Sequence, residues 1–386
     1  MAGVRPSATG AVLALATRLK AEGRDIISLG AGEPDFDTPG FIKDAAIAAI
    51  AQGETKYTPI DGTAALKQAV RRKFAAENQL DYAPEQILVS SGAKQSLFNL
   101  CLALLEPGDE VIIPAPYWVS YPDMVRLAGA EPVIVDCPIG QDFLMRSEQL
   151  ERVLSEHTRL LILNSPCNPT GAAYSPDQLA ELGEVLAGHP EVVIASDDIY
   201  EHIYWGDAPF SSFAKACPAL YERTVTCNGV SKAYAMTGWR IGYAAGPAPL
   251  IGAMTTVQSQ STSNPCSISQ AAAAAALEGD QACVREMAAA YRQRHDFIVP
   301  GLNAIEGFVC RPAEGTFYAF PDCSAAISRL GLDDDVALAE FLLDRAGVAC
   351  VPGSAFGAPG HLRFSYACSQ DSLSAALERI NRAVSA

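Results

Sequence analysis

From Gln86 onward, short β-branched runs alternate with helical patterns, and this alternation restricts the fold more than any other feature. Residues 87–91 ("ILVSS"), 111–114 ("VIIP"), "PVIV" near Val133, 160–164 ("LLILN"), 192–196 ("VVIAS") and 224–228 ("TVTCN") read as buried parallel strands. Between them, residues 94–105, 149–156 and 177–186 read as helices. The chain is therefore expected to be α/β, with a mostly parallel sheet flanked by helices, and ligands should bind beyond the carboxyl ends of its strands. A long helical pattern at 284–302 leads to "TFYAF" (316–320), a helix at 335–343, "VACV" and "LRFSY" (362–366). These shorter alternations predict a smaller α+β unit. The expected division is a large domain over 41–290 and a small one formed by 1–40 with 291–386.

Charge and composition exclude several classes of partner. A net charge of −16, with no basic run beyond Arg71-Arg72-Lys73, provides no electrostatic footprint for nucleic acid. The same acidity makes any local cluster of cations informative, because an anionic ligand must overcome a repulsive field. Eleven cysteines without a C-x-x-C pair, and five dispersed histidines, predict no metal site and a reducing, cytoplasmic setting. "AVLALA" (11–16) has the look of a signal segment, but Val12, Leu15, Ala16 and Leu19 repeat at helical spacing, which favours an amphipathic helix. No stretch approaches the roughly 18 uncharged apolar residues of a membrane span.

Four polar stretches each follow a predicted strand. In "SSGAKQS", Gly92 lets the backbone turn closely, and the helix starting near Lys94 offers free N–H groups for a phosphate; the same letters also fit a plain strand-to-helix turn with a solvated lysine. In "NSPCNPTG", Asn168 is extended before a proline and Gly171 lets the chain return, which is also a common turn formula. In "SDDIYEH", Asp197 and Tyr200 are placed to face one crevice, the first for a protonated ring nitrogen and the second for an aromatic oxygen; Asp197 or Asp198 as a helix cap is the alternative. "GVSKAYAMTGWRIGY" (229–243) holds Lys232 and Arg240, which an unbroken helix would point about 80° apart. Gly238 argues for a turn that aims both cations into one place. A lysine forms Schiff bases and an arginine forks phosphate, so the pair points to a carbonyl-bearing, phosphorylated cofactor.

Together with "SLGAGEPDFDTP", "PYWVSYPDM" and "LRFSYA", these motifs in this order resemble the pyridoxal-phosphate (PLP) enzymes of fold type I across nearly the whole chain. The likeness is to class I aminotransferases of the aspartate aminotransferase family, in the bacterial branch of aspartate/prephenate aminotransferases. The resemblance implies a Schiff base between Lys232 and PLP, a phosphate held by Arg240 and the Gly92-Ala93 turn, and a pyridine nitrogen paired with Asp197. It gives the phenolic oxygen to Tyr200 and Asn168, and the ring face to Trp118. Tyr57 would reach the phosphate of a neighbouring subunit, which implies a homodimer with shared sites. For the substrate it implies Arg363 and Gly32 at the α-carboxylate, Lys94 at a distal carboxylate, and Arg5 in the handling of larger dicarboxylates. The chain departs from its relatives at Gly229, where some carry a hydroxyl residue, at Ala93 within "GAK", and at Ala271, where many carry tryptophan.

The activity so implied moves an amino group between L-aspartate or glutamate and a 2-oxo acid (2-oxoglutarate or oxaloacetate), with prephenate as a further substrate. The competing readings are an aminotransferase for alanine or aromatic amino acids and a PLP-dependent β-lyase. A nicotinamide-binding turn is rejected, because "GAGEPD" has Asp35 where the third glycine belongs and Pro34 where a helix should continue.

Overall fold

The computed structural model describes residues 8–385, so Arg5 lies outside the described residues. Twelve strands occur among these residues: β1 (Ile27–Ser28), β2 (Ile87–Ser90), β3 (Glu110–Ala115), β4 (Glu131–Asp136), β5 (Thr158–Asn164), β6 (Val193–Asp197), β7 (Thr224–Gly229), β8 (Gly242–Ala245), β9 (Tyr318–Ala319), β10 (Val348–Ala349), β11 (Val351–Pro352) and β12 (Leu362–Ser365). Seven of them form one sheet in the order β2-β8-β7-β6-β5-β3-β4. β4, β3, β5, β6 and β7 run parallel. Their side chains alternate between two faces. Ile112, Leu161 and Ile194 join one apolar cluster, whereas Val111, Ile113, Leu160, Ile162 and Ala195 join another. Helices cover both faces, which explains why the strands read as nearly continuous apolar runs.

Three details differ from the sequence reading. β8 was not anticipated: it pairs antiparallel with both β7 and β2, so it begins at the edge where its neighbours end. "PVIV" is not buried on both sides, because β4 is the last strand of the sheet and leaves Ile134 exposed. The helix expected over 149–156 spans only Ser147–Val153.

The remaining strands are short. β1 pairs parallel with β10, and β9, β12 and β11 form an antiparallel sheet. "VACV" therefore serves two sheets, with Cys350 between β10 and β11. Pairing between β1 and β10 joins the N-terminal segment to the C-terminal strands. Around them, Leu29, Tyr291, Phe317, Phe364 and Leu373 belong to one cluster that the 22-residue helix Ala282–Asn303 helps to build. That helix runs unbroken through position 290. Leu362 and Phe364 face this cluster, so the period-two geometry of β12 turns Arg363 the other way. No described helix is long and apolar enough to cross a membrane.

Candidate active site

Strand register assembles the site. Asn164 is paired with Asp197 at the carboxyl ends of β5 and β6, and β2 and β7 end at the same edge. Because β8 runs the opposite way and starts at Gly242, Arg240 just before it falls at that edge too. The segment between β7 and β8 is a turn, as Gly238 predicted, and Arg240 itself has a left-handed backbone (φ 57°). A cavity of about 360 Å³ opens there, lined by Lys94, Trp118, Asp197, Lys232, Arg240 and Arg363 among others.

The helix Ala93–Leu104 presents its N-terminus to this cavity behind Gly92. Gly92 has φ 91°, and a Cβ there would meet Arg240 Nη2 at 2.3 Å. Gly242 is equally confined, since a Cβ would lie 2.1 Å from the Ala93 nitrogen. Glycine thus lets the guanidinium lie across the mouth of a helix N-terminus, where an anion is favoured. Arg240 donates to the carbonyls of Thr237 (2.8 Å) and Ser91 (3.3 Å) and forms no ion pair with a described acid. The departure at Gly229 also has a cause: a Cβ would crowd Gly242 Cα and the Ile241 carbonyl, both at 3.0 Å.

Asp197 is buried, accepting from Tyr121 Oη (2.5 Å) and the Ile199 amide (3.3 Å). Burial pushes its carboxyl up to about 6, against the opposing effects of Tyr121, Ile199 and Lys232. No helix follows β6 until Phe213, which removes the helix-cap alternative and leaves Asp197 and Tyr200 on a turn. Lys232 donates to the Gly32 carbonyl (2.6 Å) and lies over the Tyr200 ring (5.9 Å). Burial first, then Arg363 and Arg240, lower its ammonium to about 8, with Glu33 and Asp197 opposing. The Lys94 ammonium sits 4.8 Å from the Trp118 ring, and burial and Arg240 depress its pKa.

Arg363 is 1% exposed and meets no described acid. It donates to Asn168 Oδ1 (2.8 Å) and the Gly30 carbonyl (2.9 Å), while its buried Nε has no partner. Tyr318 and Phe356 flank it at 4.3 and 4.9 Å. Asn168 is anchored in turn by its backbone N–H, which donates to Asn164 Oδ1 (2.8 Å), and Asn164 Nδ2 donates to the Asp197 carbonyl (2.8 Å). Tyr57 is not among the residues that line this cavity and is 92% exposed.

Sequence reasoning did not single out Asn164, Tyr121, Tyr318 or Glu33, all of which line the cavity. The position of Asn164 at the end of β5 was the available signal; the tyrosines look like ordinary core residues. Elsewhere, ligand atoms of Glu77, Glu201 and His202 lie within 4.8 Å of one another, but Lys73 forms ion pairs with both glutamates and already supplies a cation.

An amine of lowered pKa, a buried carboxylate without a cationic partner, and an unpaired guanidinium at a helix N-terminus form the donor set that PLP requires. They fit an aldehyde, a pyridinium nitrogen and a phosphate respectively. The fold and site thus define a PLP-dependent enzyme of fold type I. The chain belongs to the aminotransferase class I and II family, whose model matches residues 24–380. It is 55% identical to an aspartate/prephenate aminotransferase of Nitrosomonas europaea over 98% of this chain and 96% of that one. The crystal structure of an aspartate aminotransferase from Rhizobium meliloti superposes with a TM-score of 0.95 at 49% identity, covering 100% of this chain and 97% of that one. The Thermus thermophilus aspartate aminotransferase with maleate gives 0.93 at 46% identity, covering 98% and 97%.

Proposed function

We propose that this aminotransferase moves the amino group between L-aspartate or L-glutamate and 2-oxoglutarate or oxaloacetate, and that it also accepts prephenate. The observation that carries the reading is the buried, acid-free guanidinium of Arg363 in a cavity that Lys94 also lines. An uncompensated buried cation is costly unless an anion arrives, and two cations suit a dicarboxylate better than an apolar substrate. The names of the similar proteins support aspartate and prephenate among these.

In this reading Lys232 is the Schiff-base lysine. Arg240 and the Gly92-Ala93 turn take the phosphate, Asp197 the ring nitrogen, Tyr200 and Asn168 the phenolic oxygen, and Trp118 a ring face. When bound, the cofactor supplies an electron-withdrawing ring for the electron pair of the Cα–H bond. Arg363 grips the α-carboxylate beside Gly32 and fixes which Cα bond breaks. Lys232 Nζ would take up the Cα proton as base and give it up again as acid away from that carbon, so that the 2-oxo acid leaves without it. Lys94 meets the distal carboxylate, and Arg5 is reserved for larger dicarboxylates.

Two copies form a homodimer in which Tyr57 reaches the partner's phosphate. Its 92% exposure supports this, as do exposed Ile47 (63%) and Ile50 (55%) on the helix Gly40–Ala51. The working division is a large unit over 41–290 and a small one from 1–40 and 291–386, bridged by the helix Ala282–Asn303. A cytoplasmic location suits eleven cysteines that are all free.

Borohydride reduction of the holoenzyme followed by peptide mapping tests the cofactor assignment, with the label expected on Lys232. A kcat/KM panel of aspartate, glutamate, alanine, phenylalanine and prephenate tests the substrate. Preference for alanine or phenylalanine over aspartate would sink the dicarboxylate reading, and pyruvate with ammonia released in the absence of an oxo acid would indicate a β-lyase. Gly92→Ala is expected to weaken PLP binding about tenfold or more, because the methyl displaces Arg240 and the backbone is strained at φ 91°. Equilibrium titration of the apo-protein with PLP checks this, and unchanged affinity would remove Arg240 from the phosphate site.

A further inference from the structure

We infer that Tyr318 is a positioning residue with two separable tasks: its hydroxyl donates to Tyr200 and aims that phenol at the cofactor, while its ring forms one wall of the slot that holds Arg363. This rests on the assignment of Tyr200 to the cofactor's phenolic oxygen. Tyr318 lies on β9 opposite Ser365, so it is a diagonal neighbour of Arg363 on β12. The Tyr200 and Tyr318 hydroxyls are 3.0 Å apart, and both groups are buried. The Arg363 guanidinium is 4.3 Å from the Tyr318 ring. One aromatic side chain therefore touches both the phenol proposed for the cofactor and the arginine proposed for the substrate.

Direction matters because a phenol has one proton. Were Tyr200 to donate to Tyr318, it would have none left for the cofactor. The cation against the Tyr318 ring draws electron density from that phenol and makes it the stronger acid of the two. Burial raises both groups and Arg363 opposes it at both, but at Tyr318 the arginine is the leading opposing effect, whereas at Tyr200 the neighbouring Tyr318 adds to the rise and outweighs it. Tyr318 is accordingly the donor, and the Tyr200 proton is free to point into the cavity. The resulting donor chain is strengthened along its length.

Spectrophotometric pH titration of the bound chromophore reads the first task. Donation from Tyr200 holds negative charge on the phenolic oxygen; without it the chromophore keeps its proton to higher pH. Tyr200→Phe is expected to raise the midpoint by about one unit, and Tyr318→Phe by about half a unit, the size of one neutral hydrogen bond. In the Tyr200→Phe background the second substitution should add nothing, since Tyr318 acts through Tyr200. The ring task is read by KM for aspartate, which should stay within about twofold in Tyr318→Phe and rise about fivefold or more in Tyr318→Leu. An unmoved midpoint in Tyr318→Phe, a shift that persists without the Tyr200 hydroxyl, or equal KM values for the two variants would each overturn the inference. A wild-type holoenzyme that takes no borohydride label at Lys232 would instead overturn the cofactor assignment beneath it.

Discussion

Lys232→Ala should lose the covalently bound chromophore and about 10⁴-fold or more of kcat, the upper range for one positioned proton-transfer group. The size follows from the two tasks assigned to a single nitrogen. As the attachment point it must be a free amine to meet the aldehyde, and as acid and base it must take up and release the Cα proton. Its surroundings serve both. Burial, Arg363 and Arg240 draw the ammonium from its ordinary 10.5 to about 8. At pH 7.5 roughly a quarter of the lysine is then neutral, compared with about a thousandth for an unperturbed one. The sign of the pH dependence is set by this. Because the free amine is the reactive form, covalent loading of the wild-type apo-protein should slow about tenfold per unit below pH 8 and level off above it. Mixing apo-protein with PLP across pH 6–11 and following absorbance measures the profile. A plateau reached only near 10.5, or a borohydride label retained in Lys232→Ala, would refute the assignment.

The parts of this site that were legible in the sequence are those where chemistry coincides with a strand end. Asp197, Asn168 and Lys232 follow apolar runs, and a polar side chain just beyond a buried parallel strand has few places to go except the crevice there. The turn between Lys232 and Arg240 was legible for a related reason: its glycine and the cation spacing are inconsistent with a helix. β8 was hidden because "GYAA" continues that glycine-rich turn and contains no β-branched residue. The exposure of β4 depends on its place in the strand order, which local pattern does not encode. Tyr318 and Tyr121 illustrate the same limit. Each is an aromatic residue in an apolar stretch, and its hydrogen bond to Tyr200 or Asp197 comes from packing between segments 118 and 76 residues apart.

Arg363→Met should lower kcat/KM for aspartate about 10²-fold or more while leaving the apo-protein at least as thermally stable as the wild type. The two halves of this expectation share one cause. Arg363 is buried without a counter-ion; its fork is only partly satisfied by Asn168 and the Gly30 carbonyl, and its Nε is left over. Desolvation opposes the charge and lowers its pKa. Before substrate arrives this arrangement destabilises the fold, because a buried charge costs several kcal/mol that neutral hydrogen bonds recover only in part. A carboxylate that enters completes the fork, and losing such a buried, hydrogen-bonded partner costs about 2–5 kcal/mol. Methionine fills the slot between Tyr318 and Phe356 without a charge, so it removes the recognition and the destabilisation together. Arg363→Lys should fare little better in kcat/KM, since an ammonium has no planar fork. Apo-protein melting curves, repeated with a saturating dicarboxylate, separate these effects: the ligand should raise Tm in the wild type and not in the variant. A marked fall in apo Tm for Arg363→Met would make the arginine a structural element, and kcat/KM within tenfold of wild type would remove it from the substrate site.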